Sequence, residues 1–129
     1  MINYTLYKKL EQEYGESWYI LNLEKFRHNF KELFNTFTNI YPDTKIAYSY
    51  KTNYIPALCK IVNDEGGYAE VVSEMEYDLA LAIGVNPTDI IVNGPYKPAK
   101  SFEKYLLNGS IVNLDSYAEY KLLRKLIRE

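Results

Sequence analysis

Two hydrophobic periods succeed one another along this chain, one helical and one strand-like. Tyr4, Tyr7, Leu10 and Tyr14 fall at helical spacing, and Gly15 stands where such a helix would stop. Residues 17–21, Ser-Trp-Tyr-Ile-Leu, form a short aromatic and β-branched run that reads as a strand. Asn22 can then cap a helix whose apolar stripe is Leu23, Phe26, Phe30, Leu33, Phe34 and Phe37. Pro42 and Asp43 end that segment in a turn.

From residue 45 the pattern becomes regular. Residues 45–50 read as a strand and residues 55–63 as a helix, with Pro56 near its start. Gly66-Gly67 turns the chain back into a strand over 68–72. Ser73-Glu74-Met75-Glu76 is a capping-box pattern opening a helix that stops at Gly84. A third strand covers 89–92, a third helix 98–107, and Asn108-Gly109 marks its end. A fourth strand over 110–114 leads into a second capping box, Ser116-Tyr117-Ala118-Glu119, and a helix that runs to the chain end.

These strands recur about every 22 residues without any repeat of sequence, so the repeating object is a strand–helix unit. Successive strand–helix–strand units demand a parallel sheet, because each helix carries the chain back along one face. The class is α/β, and two architectures fit: a doubly wound open sheet and a β/α barrel.

Composition narrows the functional classes. The 129 residues are 47% hydrophobic and 25% charged, a globular balance that excludes a collagen-like or disordered polyelectrolyte chain. A net charge of -2 gives no basic footprint, so nucleic acid is not an expected partner. No apolar run reaches the roughly 18–20 residues that span a bilayer, and the first residues lack a signal-peptide pattern. Cys59 is the lone cysteine, which excludes an intrachain disulfide and a cysteine-rich zinc site. The expectation is a cytoplasmic protein without a membrane partner.

In either parallel architecture, functional groups gather at the C-terminal ends of the strands. That places Lys51 and Asn53 after the first strand, Glu70 and Ser73 at the second, Asn93-Gly94-Pro95 after the third and Asp115 after the fourth. No Gly-x-Gly-x-x-Gly follows the first strand and no Gly-Lys-Ser/Thr occurs, which weighs against a dinucleotide or P-loop sheet. Lys51 carries the most chemistry. Flanked by Tyr48, Tyr50 and Asn53 at a strand end, it is expected to be partly desolvated, which favours the neutral amine that forms imines. The plainer reading is a solvated loop lysine. Cys59 reads as a core thiol and His28 as an exposed helix residue.

Tyr48-Ser49-Tyr50-Lys51-Thr52-Asn53 resembles the Tyr-Ala-Val-Lys-Ala-Asn signature of the pyridoxal-phosphate-dependent decarboxylases of the alanine-racemase fold. Glu70-Val71-Val72-Ser73-Glu74-Met75-Glu76 resembles their Asp-Val-Val-Ser-x-x-Glu segment, with Glu70 where aspartate is usual. Asn93-Gly94-Pro95-Tyr96-Lys97 is similar to their Asn-Gly-Pro-x-Lys loop, and Val112 to Ser116 to their Val-Asp-Ser strand end. The wording is most similar to diaminopimelate decarboxylases, with ornithine and arginine decarboxylases in the same group. Ser49 and Tyr50 depart from the usual alanine and valine.

The resemblance implies an amino-acid decarboxylase with a TIM-like β/α barrel, in which Lys51 is the Schiff-base lysine of pyridoxal 5'-phosphate. Glu70 and Glu76 match cofactor-site positions; Glu76 is equally the capping partner of Ser73. Residues 1–44 would lead into the barrel and residues 45–129 would form its first four βα units. The family's later histidine, glycine-rich phosphate loop, Glu-Pro-Gly-Arg segment and C-terminal domain with its catalytic cysteine would lie beyond residue 129. These 129 residues alone would then carry an incomplete, inactive site. The complete protein is expected to be a homodimer acting on a small amino acid, as in lysine biosynthesis. A non-catalytic regulatory member, a racemase of the same barrel and a plain α/β interaction domain are the alternatives.

Overall fold

The computed structural model describes residues 3–127. Helix α1 (Tyr4–Tyr14) begins at Asn3, whose side chain accepts the Leu6 N–H, and ends at Gly15. Helix α2 (Leu23–Thr38) begins at Asn22, which accepts the Lys25 N–H. Four strand–helix units follow: β1 (Ala47–Ser49) with α3 (Pro56–Asp64), β2 (Tyr68–Val71) with α4 (Glu74–Ala82), β3 (Ile90–Val92) with α5 (Ala99–Leu107), and β4 (Ile111–Val112) with α6 (Tyr117–Leu126). A 3-10 turn, Pro87–Asp89, feeds β3.

The strands lie in the order β1-β2-β3-β4, all parallel. That order decides between the two architectures. A doubly wound sheet reverses its strand order part-way, which puts helices on both faces. A strictly sequential order of right-handed crossovers leaves all the connecting helices on one face, as in a barrel wall. The core follows suit. Ala69 and Val71 of β2 and Ile90 and Val92 of β3 are buried against Cys59 of α3, Tyr77 and Ala80 of α4, and Tyr105 of α5. The alternate positions, Ser49, Glu70, Ile91 and Ile111, stand in register on the other face.

At the end of the sheet where strands begin, a directed hydrogen-bond chain fixes α4 to β4. The single Ser110 hydroxyl proton goes to the Pro87 carbonyl (2.8 Å). Tyr77 must therefore donate to Ser110 Oγ (2.9 Å), and Asn108 Nδ2 donates to Tyr77 Oη (3.0 Å). The buried Tyr105 ring lies 4.5 Å from that of Tyr77.

Residues 17–21 depart from expectation: they form no strand. Tyr19 is fully exposed, and Ile20 and Leu21 are exposed as well. Aromatic and β-branched residues favour a strand only where a neighbouring ladder takes their backbone groups, and β1 pairs with β2 alone among the described strands. Trp18 packs instead on Tyr7 of α1, with ring centroids 5.7 Å apart. The first and fourth strands are also shorter than the sequence suggests. Ladder bonds still continue past β1 and β3, from Tyr50 N–H to the Glu70 carbonyl and from Asn93 N–H to the Val71 carbonyl.

Candidate functional site

The four strand ends converge on an open depression of about 400 Å³ lined by Lys51, Val72, Asn93, Gly94, Pro95 and Asp115. Lys51 stands on a tight turn after β1. Thr52 donates to the Ser49 carbonyl through both its N–H (3.2 Å) and its hydroxyl (2.7 Å). Asn53 Oδ1 then accepts the Ile55 N–H (3.2 Å), directing the chain into α3. Lys51 is exposed, and its ammonium meets no hydrogen-bonding or ionic partner among the described residues. The side chain is thus more exposed than its place at a strand end suggests.

The second wall is the turn after β3. Gly94 has φ +94, and a Cβ there would lie 3.1 Å from both Val72 Cβ and the Val72 carbonyl oxygen. Glycine is thus required twice over, for the backbone angle and for the approach to the end of β2.

The two capping boxes fix the residues that line this space. Ser73 Oγ accepts the Glu76 N–H (3.3 Å), and Ser116 Oγ accepts the Glu119 N–H (3.2 Å). The returning carboxylates, however, reach one residue further back than a capping box predicts. Glu76 Oε2 accepts the Val72 N–H (2.7 Å) and Glu119 Oε2 accepts the Asp115 N–H (2.8 Å). Both glutamates are buried. Each box therefore clamps a strand-end residue that lines the depression.

Lys97 differs from Lys51 in every respect. Its side chain is 1% exposed. Its ammonium donates to the Gly94 carbonyl (2.6 Å), Asp115 Oδ2 (2.9 Å) and Glu119 Oε1 (3.1 Å), which engages all three of its protons. Such a lysine is a structural cation and not an available amine.

Glu70 lies on β2 directly opposite Ser49 of β1. Glu70 Oε1 and Ser49 Oγ are both enclosed and have no hydrogen-bond partner among the described residues. Of the residues singled out by sequence, Lys51, Asn93, Gly94, Pro95 and Asp115 come together around the depression, Glu70 sits beside it, and Glu76 lies behind Val72. Burial pushes the Cys59 thiol above its ordinary value, as befits a core thiol. His28 is exposed on α2. Among the described residues no cluster of histidine, cysteine, aspartate and glutamate could hold a metal ion, and no helix is long and apolar enough to cross a membrane. Sequence reasoning missed the Lys97–Asp115–Glu119 cluster. Its signal was the repeated spacing: Asp115-Ser-x-x-Glu119 reproduces Val72-Ser-x-x-Glu76, with a lysine three residues after Gly94.

Residues 27–129 match the family described as "Pyridoxal-dependent decarboxylase, pyridoxal binding domain". The chain belongs to this family. Among curated relatives of the pyridoxal-binding domain, the diaminopimelate decarboxylase of Methanothermobacter thermautotrophicus is 27% identical over 121 residues, covering 94% of this chain and 28% of that protein. The diaminopimelate decarboxylase of Aquifex aeolicus is 30% identical over 121 residues, covering 92% of this chain and 28% of that protein. The chain thus spans less than a third of the length of these relatives. A crystal structure of diaminopimelate decarboxylase from M. jannaschii in complex with L-lysine superposes with a TM-score of 0.83 at 24% identity, covering 93% of this chain and 29% of that one, and shares its fold.

Membership in the pyridoxal-binding domain family implies pyridoxal phosphate, and the strand ends fit such a group on two counts. They present at the mouth of the depression a lysine amine without a partner among the described residues. Beside it, they enclose an acceptor oxygen on Glu70 and a hydroxyl on Ser49 that the described residues leave unpaired.

Proposed function

We propose that this chain forms the cofactor-bearing part of a cytoplasmic, homodimeric amino-acid decarboxylase most like diaminopimelate decarboxylase. Residues 45–129 are the first four βα units of its barrel, and residues 1–44 lead into them. The observation that carries the reading is the contrast between the two lysines at the strand ends. Lys51 offers a free amine to the depression, whereas Lys97 has every proton engaged.

In this reading pyridoxal phosphate, when bound, supplies an electron sink for the carbanion left by loss of carbon dioxide. Lys51 supplies the amine that condenses with an aldehyde. Arginine at this position would keep the charge without that chemistry. Glu70 offers Oε1 as an acceptor for a protonated ligand group. Glu76 holds the Val72 N–H, and so acts on the cofactor site through the wall and not by contact. The substrate is a small amino acid with a second polar end, as the diaminopimelate decarboxylase relatives suggest. A partner subunit completes the site in this reading.

The test is carbon dioxide release by the complete polypeptide from diaminopimelate, ornithine, arginine and lysine, with Lys51→Ala in parallel. Turnover is expected with diaminopimelate above the others and is abolished by the substitution. A Lys51→Ala protein that keeps the wild-type rate refutes the reading.

A further inference from the structure

Near the strand ends, a buried lysine, Lys97, meets two carboxylates, those of Asp115 and the buried Glu119. Its connections are specific. Gly94 belongs to the turn after β3 and Asp115 to the turn after β4, and both line the depression. Lys97 joins them through one nitrogen, at 2.6 Å to the Gly94 carbonyl and 2.9 Å to Asp115 Oδ2. Glu119 holds the same corner from beneath. It accepts from Lys97 through Oε1 and from the Asp115 N–H through Oε2. Asp115 is therefore fixed at both backbone and side chain, while its side chain remains 35% exposed. The equivalent clamp at α4, between Glu76 and Val72, is formed by these two residues without a lysine.

Electrostatics explains why the cation must be there. Two carboxylates converge on one corner, and without Lys97 the buried Glu119 carboxylate would repel that of Asp115 with no cation between them. The lysine replaces that repulsion by three charge-assisted hydrogen bonds of fixed direction. It also ties the turn after β3 to one anchored on the N-terminus of α6.

We propose that Lys97 is a positioning residue for ligand binding: its buried ammonium sets the separation of the β3 and β4 turns, and so the shape of the depression into which Lys51 opens. The ligand taken to occupy that depression is pyridoxal phosphate, so this part of the proposal rests on the function proposed above. The tie between the two turns does not.

The experiment uses the complete polypeptide carrying Lys97→Met together with Glu119→Gln. The paired change removes the cation and the buried carboxylate at once, so no unpaired buried charge is left to unfold the protein. The amide oxygen introduced by Glu119→Gln can still accept the Asp115 N–H. Two quantities are read. Amide hydrogen exchange of the cofactor-free protein is followed over residues 93–97 and 113–117, with residues 68–72 as reference. The affinity for pyridoxal phosphate is titrated by absorbance. Exchange in both turns should accelerate by about tenfold or more with the reference unchanged. Affinity should weaken by about tenfold or more with the melting temperature preserved. Unchanged exchange in the two turns overturns the tie. Faster exchange with unchanged affinity overturns the positioning role. A wild-type protein that binds no pyridoxal phosphate overturns the cofactor reading instead, and the exchange data then decide the tie alone.

Discussion

Replacing Gly94 by alanine perturbs one methyl group's worth of space, and its cost can be separated into two parts. The first is conformational. With φ +94, the residue lies where an L side chain is disfavoured by about 1–2 kcal/mol. The second is steric. The new methyl would stand 3.1 Å from Val72 Cβ, 3.1 Å from the Val72 carbonyl oxygen and 3.3 Å from Val72 Cα. Two of these atoms are backbone at the end of β2 and cannot swing aside, so an overpacking cost of about 1–3 kcal/mol applies. The sum is roughly 2–5 kcal/mol. Gly84 supplies the control. It has φ +88, yet a Cβ there would meet nothing within 4 Å, so Gly84→Ala measures the conformational part alone. Both variants would be unfolded in urea and followed by Trp18 fluorescence. Gly94→Ala should be the less stable by about 1–3 kcal/mol, and it alone should weaken ligand binding in the depression. Equal destabilisation of the two variants would refute the close packing of the β3 turn on Val72.

Further consequences are equally open to measurement. Tyr77→Phe breaks the middle of the Asn108–Tyr77–Ser110–Pro87 chain and should cost roughly 1–2 kcal/mol in urea unfolding, with a double-mutant cycle against Ser110→Ala giving non-additive losses. Burial, reinforced by the Glu74 and Asp78 carboxylates, pushes Tyr105 up to about 12. The folded protein then holds a proton that the unfolded chain releases above about pH 10. Stability from this group is complete below pH 10 and declines as pH rises toward 12; melting temperatures across that window should fall less steeply for Tyr105→Phe. Cys59, buried and raised by burial, should react with a disulfide reagent on the order of 10²-fold more slowly in the native protein than in denaturant. Equal rates would contradict the core assignment.

Most of this architecture is legible in the sequence because its signals are local. Asn22, Ser73 and Ser116 stand at helix starts and accept the predicted N–H groups, and Pro56 opens α3. The regular period of strand–helix units gives a parallel sheet, but period alone is blind to strand order, which depends on pairing between distant segments. Residues 17–21 fail for the same reason: their strand propensity has no ladder to join. The capping boxes are visible as motifs, yet the reach of Glu76 and Glu119 to Val72 and Asp115 depends on how the strand end meets the helix. Lys51 is legible as chemistry. Its exposure is not, since solvent access depends on what covers the inner face. Lys97 reads in sequence as one residue of a loop motif, and only its burial between two carboxylates distinguishes it from a surface lysine.

The central claim is that Lys51 is the residue that takes pyridoxal phosphate. The most direct measurement is borohydride reduction of the complete protein in the presence of pyridoxal phosphate, followed by peptide mass mapping. A single pyridoxyl adduct on Lys51, lost in Lys51→Ala, is the predicted result. An adduct on Lys45, Lys60 or the buried Lys97, with Lys51 unmodified, would contradict it.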